Sequence, residues 1–118
     1  IGTAVNLTND QFSIARQIHH EALEQGLDSK KAILIAECES NLRINARGDF
    51  RTETGEYLSK GVFQFQKPTF YEYSKKYGED LDYKNPQHQI HLAVKMMKNG
   101  LWYKWSNCSK KLGILATR

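Results

Sequence analysis

Cysteine is scarce in this sequence, long apolar runs are missing, and no metal-binding spacing occurs; each absence removes a class of function. The two cysteines, Cys38 and Cys108, form neither a CxxC pair nor a Cys/His cluster, so no metal is expected. No other pattern calls for a cofactor. No apolar stretch approaches the ~20 residues that cross a bilayer, so no membrane span is expected within the chain. Zinc-finger spacing, an RNA-binding aromatic signature and an arginine-rich arm are all missing, which argues against nucleic acid as a partner. The opening IGTAVNLTND has neither Met nor an apolar h-region and reads as a trimmed or mature form rather than a secretory leader. Linkers, internal repeats and low-complexity stretches are lacking as well. The expectation is therefore one domain over 1–118.

What is present describes a folded globule. Hydrophobic residues make up 40%, aromatics 11% and charged residues 25%, enough apolar surface to form a core and too little net charge for a disordered tail. The net charge is +4, with lysines concentrated late in SKKYG, KMMK and CSKK. Such a surface suits an anionic polymer or simply a solvated face. The two cysteines, seventy positions apart, read either as buried free thiols or as one disulfide. Their spacing does not choose between these.

The periodicities are mostly helical. Thr8 and Gln11 make a capping box ahead of Phe12, Ala15, Ile18, Ala22 and Leu23, with Gly26 as the stop. Asp28 or Ser29 caps a second helix through Ala32, Ile33, Ile35 and Ala36 to Cys38 and Glu39. From Asn41 to Ser59 the helical period is lost, and RTETGEYL reads as a small hairpin around Gly55. SKGVFQFQ then alternates as an edge strand would, burying Val62, Phe63 and Phe65. KPTFYEYSKKYG restarts helix with Pro68 in its first turn and Gly78 at its end. Asn85 and Pro86 open a last long helix that turns Ile90, Ala93, Val94 and Met97 inward and stops at Gly100. LWYKWSNC packs back on the core. The fold class is mainly α with a small β-hairpin.

Within AECESNL, Glu39 stands one turn after Ile35 on an apolar helical face. Desolvation and the negative end of the helix both raise a carboxyl's pKa there, as a general acid requires. The competing reading is an ordinary surface glutamate at a helix end. Twenty residues on, Ser59 and Gln64 in SKGVFQFQ can donate hydrogen bonds, and Gly61 permits close backbone approach to a ligand.

Taken in order, these motifs resemble the soluble lytic transglycosylases of the lysozyme-like superfamily. The family pattern is Glu-Ser, an Asn and Ala a few residues on, then Gly-x-x-Gln; here it reads Glu39-Ser40, Asn45-Ala46 and Gly61-Val62-Phe63-Gln64. NPQHQIHLAVKMMKNGLWYKWSNC also resembles the end of the resuscitation-promoting-factor domain, where a Cys likewise precedes the catalytic Glu. The likeness covers roughly 32–108 and implies a Cys38–Cys108 disulfide, hence an extracytoplasmic location. It further implies a helical bundle around a glycan-binding groove, acting as a monomer on peptidoglycan strands.

The implied reaction is cleavage of the β-1,4 bond between N-acetylmuramic acid and N-acetylglucosamine. Glu39 would serve as general acid and then base, giving a 1,6-anhydro product. Ser59 would steady the carboxyl or the sugar, and Gln64 with the Val62–Phe63 backbone would hold an acetamido group. Gln89, in place of the family's Asn, would contact substrate, and Tyr57, Tyr71, Tyr73, Trp102 and Trp105 are candidate stacking platforms. The loop Arg47 to Leu58 is longer than the family's and carries Asp49, Glu53 and Glu56. One of these acids, Asp49 first, would make the enzyme a hydrolase like goose-type lysozyme. In a third reading the groove binds glycan without turnover.

Overall fold

A computed structural model describes residues 7–51 and 56–115, with side chains described outside 49–58. Five helices carry more than half of the described residues: α1 (Asn9–Gln25), α2 (Ser29–Ser40), α3 (Lys67–Lys76), α4 (Pro86–Lys98) and α5 (Ser106–Lys111). Between α2 and α3 lies an antiparallel sheet in the order β1 (Arg47–Arg51), β2 (Glu56–Lys60) and β3 (Phe65–Gln66). A 3-10 turn, Trp102–Trp105, leads into α5. The fold is thus mainly α with a small sheet, as its periodicities imply. No helix among the described residues is long and apolar enough to cross a membrane.

Local chemistry sets the helix ends. The Thr8 hydroxyl accepts from Gln11 N at 3.1 Å while the Gln11 side chain accepts from Thr8 N at 2.8 Å, the reciprocal pair of a capping box. Asp28 accepts from Lys30 N at the start of α2, and Asn85 accepts from both Gln87 N and His88 N at the start of α4. Proline stands in the first turn of α3 and of α4, where its missing N–H costs nothing. α2 ends in two successive left-handed residues, Asn41 (φ 56°) and Leu42 (φ 58°). That reversal drives the Leu42 side chain into the core, where it is 1% exposed.

The core is built by α1, α2 and α4. α1 packs against α2 and α4, contributing Ile14, Ile18 and Ala22. α2 contributes Ala32, Ile35 and Ala36, and α4 presents Ile90, Leu92, Ala93, Val94, Met96 and Met97. Two positions read as inward from the sequence face water instead: Phe12 is 53% and Leu23 61% exposed. The α1 stripe runs through Ile14, Ile18 and Ala22, a four-residue step, and Phe12 and Leu23 flank it. Beneath the sheet, edge-to-face contacts connect Trp105 to Phe65, Phe65 to Phe70 and Phe70 to Tyr83, at centroid separations of 5.8, 5.5 and 5.4 Å.

SKGVFQFQ is not one strand. Ser59 and Lys60 end β2, Gly61 to Gln64 form a turn, and Phe65 and Gln66 make β3. The turn is pinned at three points. Gly61 N donates to Ala46 O, the Ser40 hydroxyl donates to Val62 O at 2.7 Å, and the Trp105 indole donates to Phe63 O at 2.9 Å. Those anchors outweigh the alternation that suggests a continuous strand.

Two features tie distant segments together. Cys38 of α2 is bonded to Cys108 of α5, with Cα atoms 6.0 Å apart across a sequence separation of 70. On the opposite side, His91 of α4 lies between two carboxylates. Its Nδ1 is 2.8 Å from Glu21 of α1 and its Nε2 is 2.9 Å from Glu79, which also pairs with Lys95 at 2.8 Å. Ionised carboxylates only accept, so the ring satisfies both of them only as an imidazolium, donating from both nitrogens. Desolvation opposes that charge, but the bonds to Glu21 and Glu79 outweigh it and raise the His91 pKa.

Two outcomes are expected. Replacing both cysteines by alanine releases a long closed loop and lowers unfolding free energy by about 4 kcal/mol in the chain-entropy treatment, read by chemical denaturation. A raised histidine pKa stabilises the fold below the ordinary value of 6.5, and the benefit is lost as pH rises through the raised value. His91→Gln therefore costs more stability at mildly acidic than at alkaline pH. Because the cluster is partly exposed, the difference stays under about 1 kcal/mol.

Candidate active site

An open cleft of about 360 Å³ runs between the sheet, the end of α2 and the start of α5. Its lining comprises Glu39, Gly48, Ser59, Gln64, Gln66, Lys104, Trp105, Ser106 and Asn107. The floor is a single cross-strand row: Gly48 of β1 pairs with Ser59 of β2, which pairs with Gln66 of β3. Residues in one such row share a face of the sheet, so the strand register itself assembles the floor.

Gly48 has no side chain because the row has no space for one. A Cβ there would stand 2.5 Å from Gln64 Oε1 and 2.8 Å from Ser59 Oγ. Gln64 adopts a left-handed backbone (φ 53°), a conformation that costs a non-glycine residue roughly 1 kcal/mol or more. Hydrogen bonds hold it there. Its amide nitrogen donates to Ala46 O at 3.1 Å and Gly61 O at 2.8 Å, and its Oε1 accepts from Ser59 Oγ at 3.1 Å. Ser59 and Gln64 thus form one rigid polar unit on the cleft floor.

Glu39 stands at the wall, in the last turn of α2 and half-buried. It has no hydrogen-bond or ion-pair partner among the described residues. Burial alone pushes its carboxyl above the ordinary range, since no donor or cation offsets the lost hydration. The neighbours on either side of it are fixed: Cys38 by its disulfide, Ser40 by its bond to Val62 O. An unpaired, desolvated carboxyl on a rigid helix end, facing a polar floor, has the arrangement of a general acid.

The other residues singled out from the sequence divide. Ser59 and Gln64 reach the cleft with Glu39. Phe63 does not: its side chain is fully buried against Trp105, and its carbonyl already accepts the indole N–H. Phe63 is therefore not part of the cleft lining. Gln89 is 7% exposed and lies outside the cleft lining, its amide nitrogen donating to Tyr83 O at 2.7 Å. Its Oε1 is buried without a partner among the described residues and presses on Gly61, where a Cβ would overlap it. Gln89 therefore supports the turn and leaves no space for a side chain at Gly61.

Asp49 follows Gly48 in β1 and Glu56 opens β2, but their side chains, like that of Tyr57, lie outside those described; Glu53 lies outside the described residues. Trp105 contributes an edge to the cleft, while Trp102, Tyr71 and Tyr73 do not line it. Gly48, Gln66, Lys104, Ser106 and Asn107 do line it, although nothing in their local pattern marks them. The one signal for Ser106 and Asn107 was positional: a Cys38–Cys108 bond must bring their segment beside Glu39.

A family model described as the transglycosylase SLT domain matches residues 16–107. That span contains Glu39, Ser59, Gln64 and the rest of the described cleft lining. The resuscitation-promoting-factor likeness stays a resemblance in the sequence. No curated protein and no solved structure gave a match.

The site carries a prediction independent of catalysis. A carboxyl whose pKa is raised by folding destabilises the fold once it ionises, so the penalty grows as pH rises above the ordinary value of 4.5. Glu39→Gln is expected to raise the melting temperature near neutral pH, with the gain vanishing in acid. Solvent access limits the effect to less than about 1 kcal/mol.

Proposed function

The chain belongs to the transglycosylase SLT domain family, whose chemistry is lytic-transglycosylase-type cleavage of peptidoglycan, and on that premise we propose that Glu39 is its single catalytic carboxyl. The observation that carries the reading is the unpaired, half-buried Glu39 at the wall of a polar cleft. Held protonated by desolvation, it delivers its proton to the glycosidic oxygen between N-acetylmuramic acid and N-acetylglucosamine. The bond from that oxygen to the anomeric carbon breaks and the N-acetylglucosamine-side chain departs. The resulting carboxylate then takes the proton of the muramic C6 hydroxyl, whose oxygen closes on the anomeric carbon. One proton has gone out and one has come back, and the product is a 1,6-anhydro sugar with no water consumed.

The Ser59–Gln64 unit sits where an acetamido or hydroxyl group of the sugar would lie. Because its hydrogen bonds are made before substrate arrives, it needs no reorganisation to bind. Trp105 adds an apolar edge for the sugar ring. In this reading the protein acts as a single monomeric catalytic domain on glycan strands. A peptidoglycan substrate and a structural disulfide both suit an extracytoplasmic setting.

Wall-clearing assays test the assignment. Glu39→Gln should lose activity by about 10²-fold or more, the scale of a positioned acid–base group. Asp49→Asn, Glu53→Gln and Glu56→Gln should each keep most of it, because no second carboxylate is required. A collapse in the Asp49 variant equal to that of Glu39→Gln would instead favour the two-carboxylate hydrolase. Clearing that survives Glu39→Gln would end the enzymatic assignment of this residue.

A further inference from the structure

We propose that Lys104 makes the cleft selective for glycan strands that carry a free carboxylate, an inference that rests on the cleft being the glycan site. Among the described residues, two charged side chains line the cleft, Glu39 and Lys104. They do not neutralise one another: burial is the sole cause of the Glu39 shift, and a close cation would have pulled it down. Nor does Lys104 form an ion pair with any described acid, the described pairs being those of His91 and Lys95.

Lys104 is nevertheless held. Its ammonium lies 5.3 Å from the centroid of the Tyr73 ring and 5.8 Å from that of Tyr103. The same Tyr73 ring receives Lys76 at 5.1 Å. Two cations drawn to one ring repel each other, and the rings alone offer only a weak attraction in return. An anion arriving at this end of the cleft relieves that repulsion. Ser106 and Asn107, next in sequence and also lining the cleft, supply a hydroxyl and an amide within the same neighbourhood. Cation, hydroxyl and amide together suit a carboxylate.

On a muramic glycan a carboxylate has two sources. The peptide stem carries free carboxyl groups, and the lactyl ether carries one wherever the stem has been removed. Both would sit to the side of the sugar backbone, which is where a residue at the cleft end can reach them. A neutral strand gives Lys104 nothing to bind.

The test uses the Glu39→Gln protein, so that strands are bound and not consumed. Its affinity is measured for purified strands with intact stems, for the same strands after amidation of their carboxyl groups, and for strands stripped of stems. The expected result is binding of carboxylate-bearing strands at least about fivefold tighter than amidated ones, a preference that fades with added salt. Adding Lys104→Glu should erase or invert that ratio, whereas Lys104→Arg should keep it. If the preference survives on stripped strands the lactyl carboxylate is the ligand; if it needs intact stems, the peptide is. Equal affinity for free and amidated strands, or a ratio unmoved by Lys104→Glu, overturns the proposal while leaving the glycan site intact. Failure to bind any of the strands overturns both the proposal and the glycan reading beneath it.

Discussion

Everything at the site depends on the last turn of α2 being clamped from two directions. The Cys38–Cys108 bond fixes it to α5, and the Ser40 hydroxyl fixes it to the carbonyl of Val62 in the turn before β3. Glu39 sits between those two anchors in sequence and so inherits its position from both. A carboxyl left without a partner would ordinarily swing toward water or a cation. Here the backbone that carries it has no freedom to follow, and the result is a desolvated acid aimed at a cleft.

The clamp also organises the opposite side of the cleft. The turn that accepts from Ser40 contains Gly61, Val62, Phe63 and Gln64, and each has a separate constraint. Gln89 presses on Gly61 from below, Trp105 takes the Phe63 carbonyl, and Gln64 is bonded to Ala46 and Gly61. The strained backbone at Gln64 is thus stored by several contacts at once, and it turns a side-chain amide onto the floor beside Ser59. Trp105 and Gln89, both candidate substrate contacts in the sequence, also support this turn, and Trp105 lines the cleft as well.

How legible this was depends on the kind of signal. Helix caps are local, so Thr8 with Gln11, Asp28, and Asn85 with Pro86 could be read directly and stand where the sequence puts them. The Glu39 motif was legible because its apolar approach, Ile35 and Ala36, is contiguous with it. Phe12 and Leu23 misled because an apolar residue beside a core stripe has the same short-range spacing as one within it. The burial of Phe63 and Gln89 was not legible, for a different reason. Whether a residue lies under or on a surface is set by what packs over it, and here that is Trp105 and Gly61, both distant in sequence from the residues they cover. Gly48 and Gln66 became site residues only through strand register, and Lys104 through a non-periodic 3-10 turn.

The central claim is that one carboxyl, desolvated and alone, performs both proton transfers. Mass analysis of the fragments that the wild-type protein releases from purified peptidoglycan tests it most directly. The account predicts new muramic ends in the 1,6-anhydro form, each lighter by one water than a hydrolysed end, because Glu39 takes the proton of the C6 hydroxyl and that hydroxyl's own oxygen closes on the anomeric carbon. New reducing ends that have taken up water from the solvent would contradict it, and would require a second group to hold that water.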